Sequence, residues 1–487
     1  MSSMGGGAAL GTIGFTMVLL PSVSGVNLVY GSLIAWLLSI PQVIVYKMMS
    51  TRMSRTGGDY VWVSRVFGGF FGGPFALMGF VFETFAYLGL IALAAVSAIG
   101  SVGVSLGYQN MLSLALPGNV PGSDQMLQFV IGALIFTVLV VINIIKPRIG
   151  FKIVSTLTIV GALAVFVAIL VLVGAGQQGV VNYMNTLNTM GANTTYTQVA
   201  SSYSGPTFDF GASIFLVPFF AVFAYPWLNA GPAVASEIKG KSAIEWNVVI
   251  SSVVTFLVIT AAFGTLYYVG GLGFINAALA NPSLVYNYSF NFWTLAMGVS
   301  NNVAVAGFLG LGWIVWNLTI LAYGIIVISR YLFAGAFDRF LPEKISYVSP
   351  KYSSPVVAYM IELVAVIIMI GGASFLYGTF VSLYGAVIAG MVYFLVVGLA
   401  AVVYALKKER GQSKAILSIA GLLMVIVFAY IIYQFLASPA IWGGNLFAYG
   451  YVVGSFVLGA IIYAISKAYY SKRGIDITLA YKELPPL

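Results

Sequence analysis

VFAYPWLNAGPAVASEIKG, residues 222 to 240, lies inside a long apolar run yet holds Pro226, Gly231 and Pro232 within seven positions. A helix in hydrocarbon that loses backbone hydrogen bonds finds no water to replace them, so such breaks must be enclosed by protein or open onto a cavity. With Pro218 just upstream, this span carries more helix breakers than close packing requires. The stretch therefore predicts a helix that crosses a membrane in two halves.

The rest of the chain supplies the membrane. Of 487 residues 61% are apolar and 7% charged, against about 45–50% and about 25% in soluble domains. At about 20 residues per crossing, apolar stretches give twelve spans, numbered here in order: 8–24, 26–48, 71–103, 127–146, 153–175, 210–234, 246–270, 303–335, 355–371, 377–405, 414–436 and 447–468. Lys and Arg near span ends are retained on the cytoplasmic side. With the N-terminus inside, the inner connections hold all 21 Lys and Arg, from Lys47, Arg52, Arg55 and Arg65 after span 2 to Lys467, Lys472, Arg473 and Lys482 after span 12. One span added or removed would scatter them to both faces. The reading is an all-α, multi-pass cell-membrane protein with both termini cytoplasmic. Its net charge of +9 reports topology and calls for no nucleic acid.

MSSMGGGAALGTIGF at the N-terminus lacks the basic n-region and cleavage site of a signal peptide, so span 1 is expected to stay. Cysteine and histidine are both absent, which leaves no thiol catalysis, haem ligation or ordinary zinc site. With only Glu83 and Glu362 as acids deep in spans, no enzymatic constellation, cofactor or metal is expected. Acceptor sequons at Asn193 and Asn287 fall in outer loops and make both glycosylation candidates; chance explains them equally well. The longest connection, 176–209, is polar and reads as an extracellular spacer.

Span 1, ALGTIGFTMVLLPSVSG, is interrupted as well, by Gly11, Gly14 and Pro21, and five helices separate its start from that of span 6. Interruptions at corresponding places in two halves point to an inverted-repeat transporter with its substrate near the midplane. The division is then 1–175 for the first five-helix repeat, 176–209 for the loop, 210–405 for the second repeat, and 406–487 for two further helices and a short tail.

At this point the chain resembles the amino acid, polyamine and organocation transporter superfamily. RTGGDYVWVSRVFG at 55–68 resembles that family's loop after helix 2. ISRYLFAGAFDRFLPEKISYVSPKYSSPVVA at 328–358 is similar to its helix 8 end, and ASEIKGK at 235–241 to the Glu-x-Lys closing helix 6. The resemblance implies a five-plus-five, leucine-transporter-like core with broken helices 1 and 6. Two departures stand out. The family's Gly-Ser-Gly break in helix 1 is Gly14-Phe15-Thr16 here, and its Phe-x-Gly-Phe-Glu in helix 6 becomes Tyr225-Pro226-Trp227-Leu228-Asn229. A Trp where backbone usually meets ligand suggests a smaller or reshaped pocket.

The chemistry follows without the family. A zwitterionic amino acid needs donors for its carboxylate and acceptors for its ammonium, and the ends of half-helices expose both. Gly14, Phe15, Thr16 and Met17 offer amides, and carbonyls around Ala224 to Pro226 accept. Side-chain selectivity falls to Phe15, Phe223, Tyr225 and Trp227, with Tyr384 on span 10 as a gate candidate. Glu237 with Lys239 reads as an inner-gate or loop-anchoring pair.

An ionisable residue in mid-membrane is a functional candidate by default, and Glu83 is that residue in span 3. Proton-coupled relatives place a helix 5 lysine beside the helix 1 break, whereas Gly161 occupies the matching position here. Sodium-coupled relatives complete an oxygen cage with adjacent helix 8 hydroxyls, and 317–329 offers only the scattered Asn317, Thr319 and Ser329. The reading is a secondary transporter for amino acids or related organic amines, either proton-coupled through Glu83 or an uncoupled exchanger, with sodium least favoured. A substrate-sensing receptor or a channel on the same scaffold is the alternative; no filter-like repeat speaks for a channel.

Overall fold

The computed structural model describes residues 23–118, 120–223, 225, 227–376 and 381–483. Among them there is no strand, and ten helices are long and apolar enough to cross a membrane. These are Leu28–Arg52, Gly69–Ser105, Gln125–Ile145, Pro147–Ala192, Lys241–Gly270, Val303–Phe337, Val356–Phe375, Gly385–Lys408, Gly411–Ala437 and Leu446–Ser471, which are spans 2 to 5 and 7 to 12. Span 6 begins as the shorter apolar helix Phe210–Phe220. Span 1 lies outside the described residues.

Helix starts follow local chemistry. A side-chain oxygen that accepts from the first free amides stabilises an N-terminus. Asn27, Asp124, Asp209, Asn302 and Asn445 do this for spans 2, 4, 6, 8 and 12. These even-numbered spans start at the end of the bundle that lacks Lys and Arg. The other end, where the basic connections gather, is called the basic end below.

Packing joins helices five spans apart: span 2 lies on span 7, span 3 on span 8, and span 4 on span 9. Small residues allow the closest approaches, as membrane helix pairs require. A Cβ on Gly79 of span 3 would sit 2.2 Å from that of Tyr393 on span 10. Span 3 also winds as a π-helix over Leu77–Phe82, so its turn is widened just before Glu83.

The 176–209 connection is not a plain spacer. The helix of span 5 runs on to Leu187 past a break at Gly176 (φ 59°), and a short helix forms at Tyr196–Ser201. Val180, Tyr183, Met184 and Leu187 are buried, and the Tyr183 ring fills the space a Cβ on Gly298 would take, 2.2 Å away. Their partners include Phe290 and the Phe292–Val299 helix, distant in sequence, so their pattern could not be read locally.

Gly79→Val is expected to destabilise the fold by about 1–3 kcal/mol through overpacking. Thermal unfolding in detergent should show a lowered melting temperature, while Gly174→Val, where a Cβ meets nothing within 4 Å, should leave it unchanged.

Candidate functional site

Span 6 is interrupted between Phe223 and Ala230. One helix runs Val217–Phe223, residues 225 and 227–229 are non-helical, and a four-residue helix resumes at Ala230–Ala233, followed by a 3-10 turn at Ala235–Glu237. The Tyr225 amide still donates to the Phe220 carbonyl at 3.0 Å, and the Ala233 amide to that of Asn229 at 2.8 Å.

Four other spans enclose the gap. The Tyr225 hydroxyl meets Ser32 Oγ of span 2 at 2.5 Å, which in turn meets Thr260 Oγ1 of span 7 at 2.9 Å. Trp227 stands edge-on to Phe394 of span 10 with ring centres 5.6 Å apart. Asn229 Nδ2 donates to the Tyr331 hydroxyl of span 8 at 3.2 Å. Asn229 Oδ1 is buried and has no partner among the described residues. A buried carbonyl left unpaired costs about 1–3 kcal/mol, so this acceptor is poised for a donor.

Beneath the gap lies the loop after span 2. Gly57 and Gly58 hold φ of 90° and 48°, a region that glycine enters without steric cost. The Gly57 amide donates to the Ala233 carbonyl at 3.0 Å, and a Cβ on Gly58 would fall 2.8 Å from the Ala233 nitrogen. This approach delivers Asp59, fully buried at the start of helix Asp59–Phe67, to three tyrosines. Its carboxylate accepts from Tyr46 of span 2 at 2.5 Å, from Tyr393 of span 10 at 2.8 Å, and from Tyr331 of span 8. Phe80 of span 3 stacks on Tyr331 at 4.2 Å. Through Tyr331 the hub reaches Asn229 in the gap. Burial pushes the Asp59 carboxyl up to about 6, against the lowering effect of the tyrosine donors.

Ion pairs surround this hub at the basic end. Arg65 and the Tyr60 hydroxyl both hold Asp338, the latter at 2.9 Å, and Arg52 holds Glu409. Lys47 pairs with Glu245 at 3.2 Å. Glu237, the gate candidate, is gripped by Arg330 of span 8 at 2.8 and 3.1 Å. The expected Glu237–Lys239 pairing is thus corrected: a buried guanidinium with a two-pronged geometry outcompetes a flexible ammonium. Lys239 instead lines a cavity of about 840 Å³ with Arg148, Phe151, Glu237, Asn247 and Tyr323. At the opposite end a cavity of about 360 Å³ is bounded by Ser101, Tyr183, Asn287 and Thr294.

Tyr225, Trp227 and Asn229 come together at the gap. Gly14, Phe15, Thr16, Met17 and Ala224 lie outside the described residues, Phe223 closes the first half-helix, and Tyr384 falls in the 3-10 turn Val381–Val387 that opens span 10. Glu83 is buried and accepts from Thr84 Oγ1 at 3.1 Å, its one hydrogen bond among the described residues. Gly161 faces span 8, where the Trp316 ring lies 2.8 Å from the Cβ position and leaves no room for a lysine. Asn193 and Asn287 are exposed. The Asp59 hub was not anticipated, although one acid between Gly-Gly and the apolar YVWV was its visible trace.

The profile of the Amino acid permease family matches residues 1–461, nearly the whole chain including the interrupted span and the loop beneath it. The chain belongs to the amino acid permease family. A search of curated proteins returns no match. The permease is therefore a multi-pass transmembrane transporter, and its interrupted span is a gap in a transport protein.

Asp59→Asn in this permease should cost about 1–3 kcal/mol through a disturbed buried network. Because the folded state holds the Asp59 proton more tightly than the unfolded chain, its contribution to stability is complete below about pH 4. That contribution falls as pH rises towards about 6. Melting curves from pH 4 to 7 should show this slope in the wild type and its loss in Asp59→Asn.

Proposed function

We propose that this permease is a secondary transporter that moves amino acids or related organic amines across the cell membrane by alternating access, with both termini in the cytoplasm and the basic end facing it. The observation that carries this reading is the gap in span 6, enclosed by spans 2, 7, 8 and 10 and holding the unpaired Asn229 carbonyl. This side-chain oxygen, buried at the start of the Ala230–Ala233 helix without a partner among the described residues, is an acceptor available to an ammonium group. Gly14 to Met17 would supply amides to the carboxylate, and Tyr225 and Trp227 would set the side-chain fit. The packing of spans 2 on 7, 3 on 8 and 4 on 9 supports a five-plus-five inverted repeat over 1–175 and 210–405.

For coupling, protons through Glu83 or uncoupled exchange are the two forms of this reading. The span 8 hydroxyls give sodium little support, since Thr319 and Ser329 donate to carbonyls of their own helix at 2.8 Å each.

Uptake of labelled amino acids into proteoliposomes, with and without ion gradients, tests the reading. Trp227→Ala should reorder substrates by size, with changes of tenfold or more in relative uptake. An unchanged ranking would make Trp227 a packing residue. Glu83→Gln should abolish pH-driven accumulation and leave counterflow exchange; sodium-dependent uptake that survives it would overturn the coupling assignment.

A further inference from the structure

Arg330 commits all three of its guanidinium nitrogens while only 7% exposed. Nε and Nη2 hold Glu237, and Nη1 donates to the Tyr359 hydroxyl of span 9 at 2.6 Å and to Ser329 Oγ at 3.0 Å. One turn beyond Tyr359, on the same face of span 9, stands Glu362. It is fully buried, and neither carboxylate oxygen has a hydrogen-bond partner among the described residues. The Arg330–Tyr359 hydrogen bond brings the guanidinium to this same face of span 9.

Among the described residues, no other buried cation stands on the elements packed against span 9. The packing neighbours are spans 3, 4 and 8 and the Glu343–Ser346 turn. Lys146 at the end of span 4 and Lys344 in the turn are both exposed, Glu83 is the one carboxylic acid in span 3, and Glu343 is held by Arg339 at 3.0 Å. One buried cation thus faces two carboxylates and can neutralise one. A second ionised carboxylate without a partner costs several kcal/mol in such surroundings.

The two acids differ in what carries them. Arg330 and Glu362 ride on the uninterrupted helices Val303–Phe337 and Val356–Phe375. Glu237 rides on a short segment bounded by the gap between Phe223 and Ala230 and by Gly240 at φ 91°. Displacing that segment withdraws Glu237 and leaves Arg330 with Tyr359 and, nearby, Glu362.

We propose that Glu362 is a proton-binding site linked to movement of the 230–240 segment, carrying its proton while Glu237 holds Arg330 and releasing it when Glu237 departs. On departure the O–H bond of Glu362 breaks, the proton passes to water admitted where Glu237 stood, and the carboxylate takes over Arg330. One proton is exchanged per movement. The inference rests on the alternating-access reading for its use in transport, and it is separate from Glu83. Because the displaced state binds one proton fewer, rising pH favours it, by up to about tenfold in population ratio per pH unit.

The chain contains no cysteine, so Lys239→Cys with Lys344→Cys gives a clean spin-label pair across the exposed ends of the moving and fixed parts. Distances are measured by pulsed electron paramagnetic resonance on the full chain in lipid nanodiscs between pH 5.5 and 8.5. The expected result is two distance populations whose ratio shifts with pH in the wild type, a pH-independent engaged population in Glu362→Gln, and a displaced population at every pH in Glu237→Gln. A wild-type distribution that ignores pH overturns the proposal, as does the same pH shift in Glu362→Gln. Should Glu362→Gln fail to fold, a Glu237→Gln variant that stays engaged overturns it equally. No substrate enters the measurement. A shift that Glu362→Gln abolishes, in a protein that takes up no amino acid, would keep the proton site and remove the transport reading; uptake without the shift would do the reverse.

Discussion

Inside a bilayer each peptide group must find its hydrogen bond within the protein, and span 6 is where this chain gives up that local solution. Between Phe223 and Ala230 its described residues leave the helix, and they can persist there only if protein closes round them. The enclosure recruits a side chain from each direction: Ser32 on Tyr225, Phe394 on Trp227, Tyr331 on Asn229, and the Gly57 amide on the Ala233 carbonyl. The positions of spans 2, 8 and 10 and of the loop after span 2 are thereby tied to the gap, and span 7 follows through Thr260.

The two ends of the bundle close by different chemistry. At the basic end the contacts are ionised, with Arg65 on Asp338, Arg52 on Glu409, Arg330 on Glu237 and the tyrosines on Asp59. At the opposite end a neutral chain of hydrogen bonds joins spans 2 and 7. The Tyr267 hydroxyl accepts from the Leu28 amide at 3.0 Å and donates to Asn276 at 2.9 Å, and Asn276 donates to the Val26 carbonyl at 2.8 Å. Hydrogen bonds to charged groups are roughly twice as strong as neutral ones, so the ion pairs hold the segments of the basic end together more firmly.

Composition and order along the chain determined the membrane, the ten described spans, the grouping of basic residues into alternate connections, and the interruption of span 6. Each of these depends on a residue and its near neighbours: apolar length sets a crossing, and a proline removes its own amide wherever it stands. The sequence also singled out Tyr225, Trp227 and Asn229, because they occupy that interruption.

Partners across the fold were decided only by tertiary structure. Asp59 meets Tyr331 and Tyr393 over separations of 272 and 334 residues, and no local pattern marks those two among 30 tyrosines. Glu237 passes over Lys239, two positions away, for Arg330, 93 positions away, because burial and a forked geometry outweigh proximity in sequence. The helical course of 176–187 depends on a surface supplied more than a hundred residues later by Phe292–Val299. Electrostatic and packing energies depend on distance in space, and where the folded chain brings distant segments together is not written in any one of them.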